Sequence, residues 1–247
     1  MTLSASQEHW LWSFQIEHQL QDLLPEWCYT AQAADEYDNI HPGYLPRGQG
    51  GVAIAWRRHL NPYITRLDEG NERILPIIVS LPETTDICLI CCYLPSGTSK
   101  EAIEKFKEDT AVLEELCKKY HGYSILLAGD LNADINNRNN KKEKIMKQLI
   151  EEIRLTNLNR DVKDTPTYVN PGLSHRSHID YFISNDKSSW SNIVVPAQWF
   201  LLRTIQTISS TPPPTPQSSL KRILLSTTLP RMKLPIPRRY QVSDGRI

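Results

Sequence analysis

Runs of apolar residues punctuate an otherwise polar chain, and the spacing inside each run assigns it an element. In "GVAIAWRRHL" Val52, Ile54 and Trp56 recur two apart, the period of a strand, after a turn built on Gly48, Gly50 and Gly51. "ILPIIVSLP" and "DICLICCYLP" are continuous apolar runs separated by "ETT", the pattern of an antiparallel pair. Between Ser99 and Tyr120 the period lengthens. Ile103, Phe106, Leu113, Leu116, Cys117 and Tyr120 share one helical face, with Thr98 and Glu101 spaced for a capping box. "YSILLAGDLN" is short and rich in branched residues and predicts a buried strand. A second amphipathic helix is predicted from Lys141 to Arg154, burying Ile145, Leu149, Ile150 and Ile153. The loop "DTPTYVNPGLSHRS" leads to the strand "HIDYFISN", and "SNIVV" reads as one more short strand. Strands and helices alternate, yet some strands are joined by tight turns, which points to α/β or α+β layers with mixed sheets.

The pattern changes after Val195. Eight of the 17 prolines lie beyond it, with abundant Ser and Thr. Residues 1–195 carry 20 Lys/Arg against 27 Asp/Glu, whereas residues 196–247 carry eight basic residues and a single acid, Asp244. The zero net charge therefore hides two segments with different jobs: a folded unit over 1–195 and a basic tail over 196–247, expected to be mostly disordered. Its "KR", "PRMK" and "PRRY" are suited at most to non-specific phosphate contact.

Cys88, Cys91 and Cys92 sit in one strand-like run and read as small buried hydrophobes. An odd count of five, with no leader, suggests a reducing compartment, and no second Cys/His pair has zinc-ligand spacing. No apolar run is long enough to span a bilayer, so no membrane role is expected. The opening "MTLSASQEHW" lacks the features of a signal peptide.

The stretch "ILLAGDLNAD" carries the chemistry. Four apolar residues deliver Asp130, Asn132 and Asp134 to the end of a buried strand. Taken alone, Asp and Asn there could simply end the strand in a turn. Side chains two apart on extended chain would instead point the same way, as a hard-cation or phosphate site needs.

Further fragments occur with it in one order: "QEHW" at Gln7 to Trp10, "RGQGGVAIAWR", "CCYLPSG", "GDLNAD" and "SHIDYFIS". This chain resembles the endonuclease/exonuclease/phosphatase superfamily, and within it the endonuclease domains of non-LTR (LINE-type) retrotransposons. The resemblance runs from Gln7 to about Val195 and implies a four-layer sandwich of two mixed β-sheets flanked by helices. It implies hydrolysis of a phosphodiester, with DNA as substrate and Mg²⁺ (or Mn²⁺) as cofactor, and nuclear work without an obligate protein partner. Residue by residue, Glu8 would be the principal metal ligand. Asp130 and Asn132 would place the attacking water and hold the scissile phosphate, and Tyr93 would donate its hydroxyl to a phosphate oxygen. Asp180, in "HIDYF", would orient a catalytic histidine, and Thr167, in "TPTY", would shape the substrate groove. A cation and neutral donors suit a reaction that adds negative charge to the phosphate, whereas bare carboxylates would repel it.

Two departures from the family pattern temper the expected activity. The family's Asn-bearing first strand has no room ahead of Glu8, and its late Ser-Asp-His is here Ser243-Asp244-Gly245. All seven histidines lie at or before His178, with His175 and His178 the nearest substitutes for the missing imidazole. The first and last strands of the sandwich are thus expected to be absent, leaving an open sheet edge. A decayed copy, with the tail brought in by a frame shift or an unrelated exon, would explain both. A non-catalytic remnant, or a phosphatase or phospholipase of the same superfamily, are the competing readings.

Overall fold

The computed structural model describes residues 2–9, 11–17, 26–33, 50–137, 140–159, 166–170, 175–187, 190 and 224–225. Strands are numbered in chain order. The smaller sheet contains β1 (Thr2–Gln7), β2 (Trp27–Gln32), β3 (Val52–Arg57) and β12 (Leu224–Leu225), in the spatial order β12-β1-β3-β2. The larger contains β4 (Ile64–Arg66), β5 (Ile74–Val79), β6 (Ile87–Tyr93), β7 (Ser124–Asp130), β8 (Thr156–Asn157) and β11 (Asp180–Ser184), in the order β4-β5-β6-β7-β11-β8. Both sheets are mixed. β12 runs parallel to β1 in one, and β6 parallel to β7 in the other, while the remaining pairs are antiparallel.

Alternation explains the packing. Leu75, Ile77 and Val79 of β5, Leu89 and Cys91 of β6, and Leu126 and Ala128 of β7 meet Leu3, Ile54 and Trp56 of the smaller sheet in one core. The intervening Ile74, Cys88, Ile90, Cys92, Ile125 and Leu127 face the other way, into a second core closed by helices. A strand covered on both faces needs apolar residues at every position, which is why the β5–β7 runs are continuous. β6 and β7 lie so close that a Cβ at Gly129 would come within 1.9 Å of the Cys92 carbonyl oxygen. The glycine of "AGDLN" thus serves strand contact, and the turn comes after it.

Helix α1 (Lys100–Lys119) buries Phe106, Leu113, Leu116 and Cys117, the face the periodicity predicts. Its N-cap is Ser99, whose hydroxyl accepts the Ala102 N–H at 3.2 Å. The N-cap therefore falls one residue after the expected Thr98, and with Ala102 at the third helical position the expected capping box does not form. Asp109 is also buried on this face, where Asn71 Nδ2 donates to it at 2.8 Å and Arg73 Nε lies 3.9 Å away. Desolvation nevertheless pushes its carboxyl up from the usual range.

Helix α2 (Lys141–Glu152) begins with a complete capping box between Asn140 and Glu143 and ends two residues short of Arg154. Met146 and Leu149 are its most buried apolar residues, with Ile145, Ile150 and Ile153 partly buried beside them. Lys142 and Glu143 are buried as well, which the apolar pattern does not announce.

Three expectations change. The loop before β11 contains a two-stranded ribbon, β9 (Tyr168–Asn170) with β10 (His175–Ser177), and β11 begins at Asp180, so His178 precedes it. The sheet edge expected to be open is covered at Thr2 and Leu3, which pair with Leu224 and Leu225 from the basic tail. Unpaired strand N–H and C=O groups favour such an addition. Arg154, finally, is in the left-handed region at φ 58°, a conformation that ends a helix. Gly48, the "SNIVV" segment and the tail other than 224–225 lie outside the described residues.

The five cysteines are free thiols, and Cys88, Cys91, Cys92 and Cys117 are buried. Burial pushes the thiols of Cys88, Cys91 and Cys117 up to about 12, the behaviour of inert packing residues. Among the described residues no helix is long and apolar enough to cross a membrane.

Candidate active site

Register gathers the site. Tyr93 at the end of β6 pairs with Asp130 at the end of β7, and Asp130 pairs with Asp180 at the start of β11. Residues in register share a face. Tyr93 packs on the inter-sheet core, so the row Tyr93–Asp130–Asp180 lies at one end of the space between the sheets.

Glu8 reaches this end from the opposite sheet. It follows directly on β1, and Tyr93 Oη donates to its Oε1 at 2.7 Å. The turn that delivers it is tightly determined. Glu8 N–H donates to the Gly51 carbonyl at 2.9 Å, and Glu8 sits at φ 55°. His9 stacks where a side chain at Gly51 would be: a Cβ there would lie 2.4 Å from the imidazole. The His9 Nδ1 accepts the Leu11 N–H at 3.1 Å, so its Nε2 carries the proton and donates to the Gln32 carbonyl at 3.0 Å. The glycine pair and His9 thus lock the main chain of Glu8.

Asn132 departs from expectation in a telling way. It does not continue the strand; it adopts φ 46°, and its N–H donates to Asp130 Oδ1 at 2.8 Å, an Asx turn. Its side-chain Nδ2 donates to the Leu94 carbonyl at 2.8 Å, and Leu94 N–H donates to the Asp130 carbonyl at 2.9 Å. Asp130 and Asn132 are held together by a turn instead of by pleat alternation. Only four non-glycine residues have positive φ, namely Glu8, Glu83, Asn132 and Arg154, among the described residues. Two of the four are candidate site residues, and such backbone strain is retained where side-chain placement requires it.

Tyr93 is a committed donor. Burial first, then the hydrogen bond and charge of Glu8 and the charge of Asp130, push its phenol well above the ordinary range. The guanidinium of Arg73, 5.5 Å from the ring centroid, opposes this only in part. The hydroxyl is engaged with Glu8 as the residues stand, so its expected contact with phosphate would require it to turn or to be shared.

Asp180 and Thr167 are joined by hydrogen bonds at the start of β11. Thr167 is buried, and its Oγ1 accepts the N–H groups of Ile179 at 2.8 Å and Asp180 at 3.2 Å. Its hydroxyl oxygen thus serves the entry of β11 and holds Asp180 in place. Asn159, which the sequence does not single out, does the complementary work. It accepts the Phe182 N–H at 2.9 Å and donates to the Asp180 carbonyl at 3.0 Å, with His178 Nε2 3.2 Å from its Nδ2. His178 is buried, edge-on to Tyr181 with ring centroids 4.9 Å apart. A histidine so enclosed is placed to brace the strand. The side chain of His175 lies outside the described residues.

Asp134, the last acid of "GDLNAD", accepts from Tyr181 Oη at 3.2 Å and from the His178 N–H at 3.4 Å. It ties the loop after β7 to β11. Two Asp and an Asn within five positions were the signal available for it; Asn159 had none.

Residues 87–201 match the family model described as Endonuclease-reverse transcriptase. Among solved structures, the chain is similar to the 3' phosphatase NExo from Neisseria bound to a product DNA hairpin, at 16% identity and TM-score 0.53 over 75% of this chain and 76% of that one. It is similar to the human Nocturnin catalytic domain with bound sulfate, at 14% identity and TM-score 0.51 over 74% and 69%. The endonuclease domain of TRAS1, a telomere-specific non-LTR retrotransposon, aligns at 16% identity and TM-score 0.49 over 66% and 68%. No curated protein sequence matches the chain. The matched segment spans β6, β7 and β11, which carry Tyr93, Asp130 and Asp180, on a fold shared with NExo and Nocturnin. The family model thus matches the half of the fold that carries three of the candidate residues, and the likeness to NExo and Nocturnin is one of fold.

Proposed function

We propose that this chain hydrolyses phosphodiester bonds as a Mg²⁺-dependent endonuclease that nicks DNA, of the kind carried by non-LTR retrotransposons, and that it does so more slowly than a relative with an imidazole in the site. The observation that carries the reading is the approach of Glu8, from one sheet, to Tyr93 beside Asp130 and Asp180 on the other. The retrotransposon branch rests on "QEHW" and "RGQGGVAI" and on the description of the matching family model.

The donor set fits a hard cation held lightly. Its oxygens are carboxylates, as Mg²⁺ prefers, but among the described residues no three His, Cys, Asp or Glu side chains cluster as a cage. Mg²⁺ commonly uses one or two carboxylates and takes its remaining oxygens from water and substrate phosphate. Glu8 would hold the ion here. When bound, it would supply positive charge against the charge that builds on the phosphate.

The chain's own residues do the rest. Asp130, buried and fixed by the Asn132 turn, is placed to aim a water and take its proton. The Asn132 amide and the Tyr93 hydroxyl, which stays protonated, are neutral donors for non-bridging phosphate oxygens. Arg73 brings positive charge over the Tyr93 ring. Asp180, set in place by Thr167 and Asn159, has no described imidazole free to orient, which is the reason for the reduced rate.

A non-catalytic remnant is the second reading, favoured by the absence of a three-ligand cluster among the described residues and by the enclosure of His178. Supercoiled plasmid with Mg²⁺ separates the two. Nicking that disappears in Asp130→Ala supports the enzyme, whereas a folded protein that leaves the plasmid intact supports the remnant. Release of phosphate from 3'-phosphorylated DNA, inositol phosphates or sphingomyelin head groups in place of nicking would move the assignment to a phosphatase or phospholipase.

A further inference from the structure

The first turns of α1 and α2 enclose a groove of about 450 Å³. Its lining contains five lysines, Lys100, Lys107, Lys141, Lys142 and Lys144, against one acid, Glu104. Glu104 is taken up by Lys107 at 2.9 Å, while Lys100, Lys141 and Lys144 have no ion-pair partner among the described residues.

The sign of this charge is wrong for the start of α2. A helix N-terminus carries partial positive charge and favours acids, yet α2 opens with Lys141, Lys142, Glu143 and Lys144, facing Lys100 at the start of α1 across the groove. Glu143, the one acid at the start of α2, is spent on the capping box. The cost is raised further at Lys142, an almost fully buried lysine whose Nζ donates to the Pro95 carbonyl and lies 5.2 Å from the Phe106 ring centroid. A local conflict of this kind, with lysines in excess of the acids around the groove, marks a place where an external anion completes the charge balance.

The groove adjoins the candidate active site. Pro95, held by Lys142, lies two residues after Tyr93, and the intervening Leu94 accepts from Asn132. The Asp130 charge also acts on Lys142. We propose that the groove between the α1 and α2 N-terminal turns binds the phosphodiester backbone of DNA next to the scissile phosphate, with Lys100, Lys141 and Lys144 as its phosphate contacts. This assignment rests on the reading that DNA is the substrate. The lysines position the strand and read no sequence.

The test uses the full chain and a fluorescein-labelled DNA duplex, with anisotropy measured from about 50 to 200 mM salt. In the triple variant Lys100→Gln/Lys141→Gln/Lys144→Gln, the slope of log affinity against log salt should fall by about 2–3, because each phosphate contact contributes close to one. The thermal midpoint should stay level or rise, since two of the three substitutions remove unfavourable charge from the start of α2, so unfolding would not mimic the effect. The basic tail is present in both proteins and cancels in the comparison. An unchanged slope, or no DNA binding by the full chain, overturns the groove. Asp130→Ala reports on the other reading separately: it should abolish nicking and keep the slope. If wild-type protein does not nick but the triple variant still loses slope, the catalytic reading fails and the groove stands.

Discussion

Replacing Lys142 by methionine asks whether the fold carries that ammonium at a cost. Lys142 is 4% exposed, in the first turn of α2. Burial, opposed by the charge of Asp130 and reinforced by Arg73, lowers its pKa from the ordinary 10.5 to about 8. At about 1.4 kcal/mol per tenfold, keeping the charge costs the folded state about 3 kcal/mol below pH 8. The sign follows from proton counts. Between the two pKa values the unfolded chain holds a proton that the folded chain has released, so this group makes stability rise with pH. The rise amounts to roughly 2–3 kcal/mol between about pH 7 and 10. The thiols of Cys88, Cys91 and Cys117 act the other way above their ordinary 9.0, since they are pushed up to about 12 in the folded chain. They are common to both proteins, so the difference between wild type and Lys142→Met isolates the lysine. Urea melts of both at about pH 7, 8.5 and 10 should show a gap that shifts in favour of the wild type by about 2–3 kcal/mol as pH rises. The lost hydrogen bond to Pro95 offsets the gap by a constant and leaves its pH dependence intact. Parallel stability curves for the two proteins would refute the reasoning.

Three shorter predictions follow from single contacts. Gly129→Ala places a Cβ 1.9 Å from the Cys92 carbonyl oxygen and must pry β6 from β7; a loss of about 3 kcal/mol or more is expected in denaturant melts, and an unchanged midpoint would contradict the close approach. Tyr93→Phe removes the donor to Glu8 Oε1 while keeping the ring; plasmid nicking should fall about 10²-fold with little change in melting temperature, and an unaltered rate would remove Tyr93 from the site. Thr167→Val leaves the Ile179 and Asp180 N–H groups without their acceptor; a loss of about 1–3 kcal/mol per amide is expected in thermal melts, with reduced nicking, and wild-type stability would show that Thr167 does not hold β11 in place.

Local order was legible wherever burial alone decides it. The continuous runs of β5, β6 and β7 and the apolar face of α1 follow directly from which residues water excludes, and a one-dimensional pattern records that. The fragment "GDLNAD" likewise announced a polar cluster at a strand end before any partner was known. Features that depend on a contact distant in sequence left no such trace. Asn159 reads as an ordinary loop amide until β11 passes beside it. The hold of Thr167 on β11 shows only once its oxygen accepts two strand amides. Lys142 scans as a solvated helix start, yet it is buried because Pro95 and Phe106 close over it.

The same division holds for the site. Sequence determined which side chains have the chemistry, since carboxylates, amide and phenol are properties of residue type. The tertiary structure decided that Glu8 and Tyr93, 85 positions apart, share a hydrogen bond, and that Asn132 turns back on Asp130 instead of extending past it. Convergence of this kind is set by strand register and by the approach of two sheets, and those depend on the whole chain packing at once.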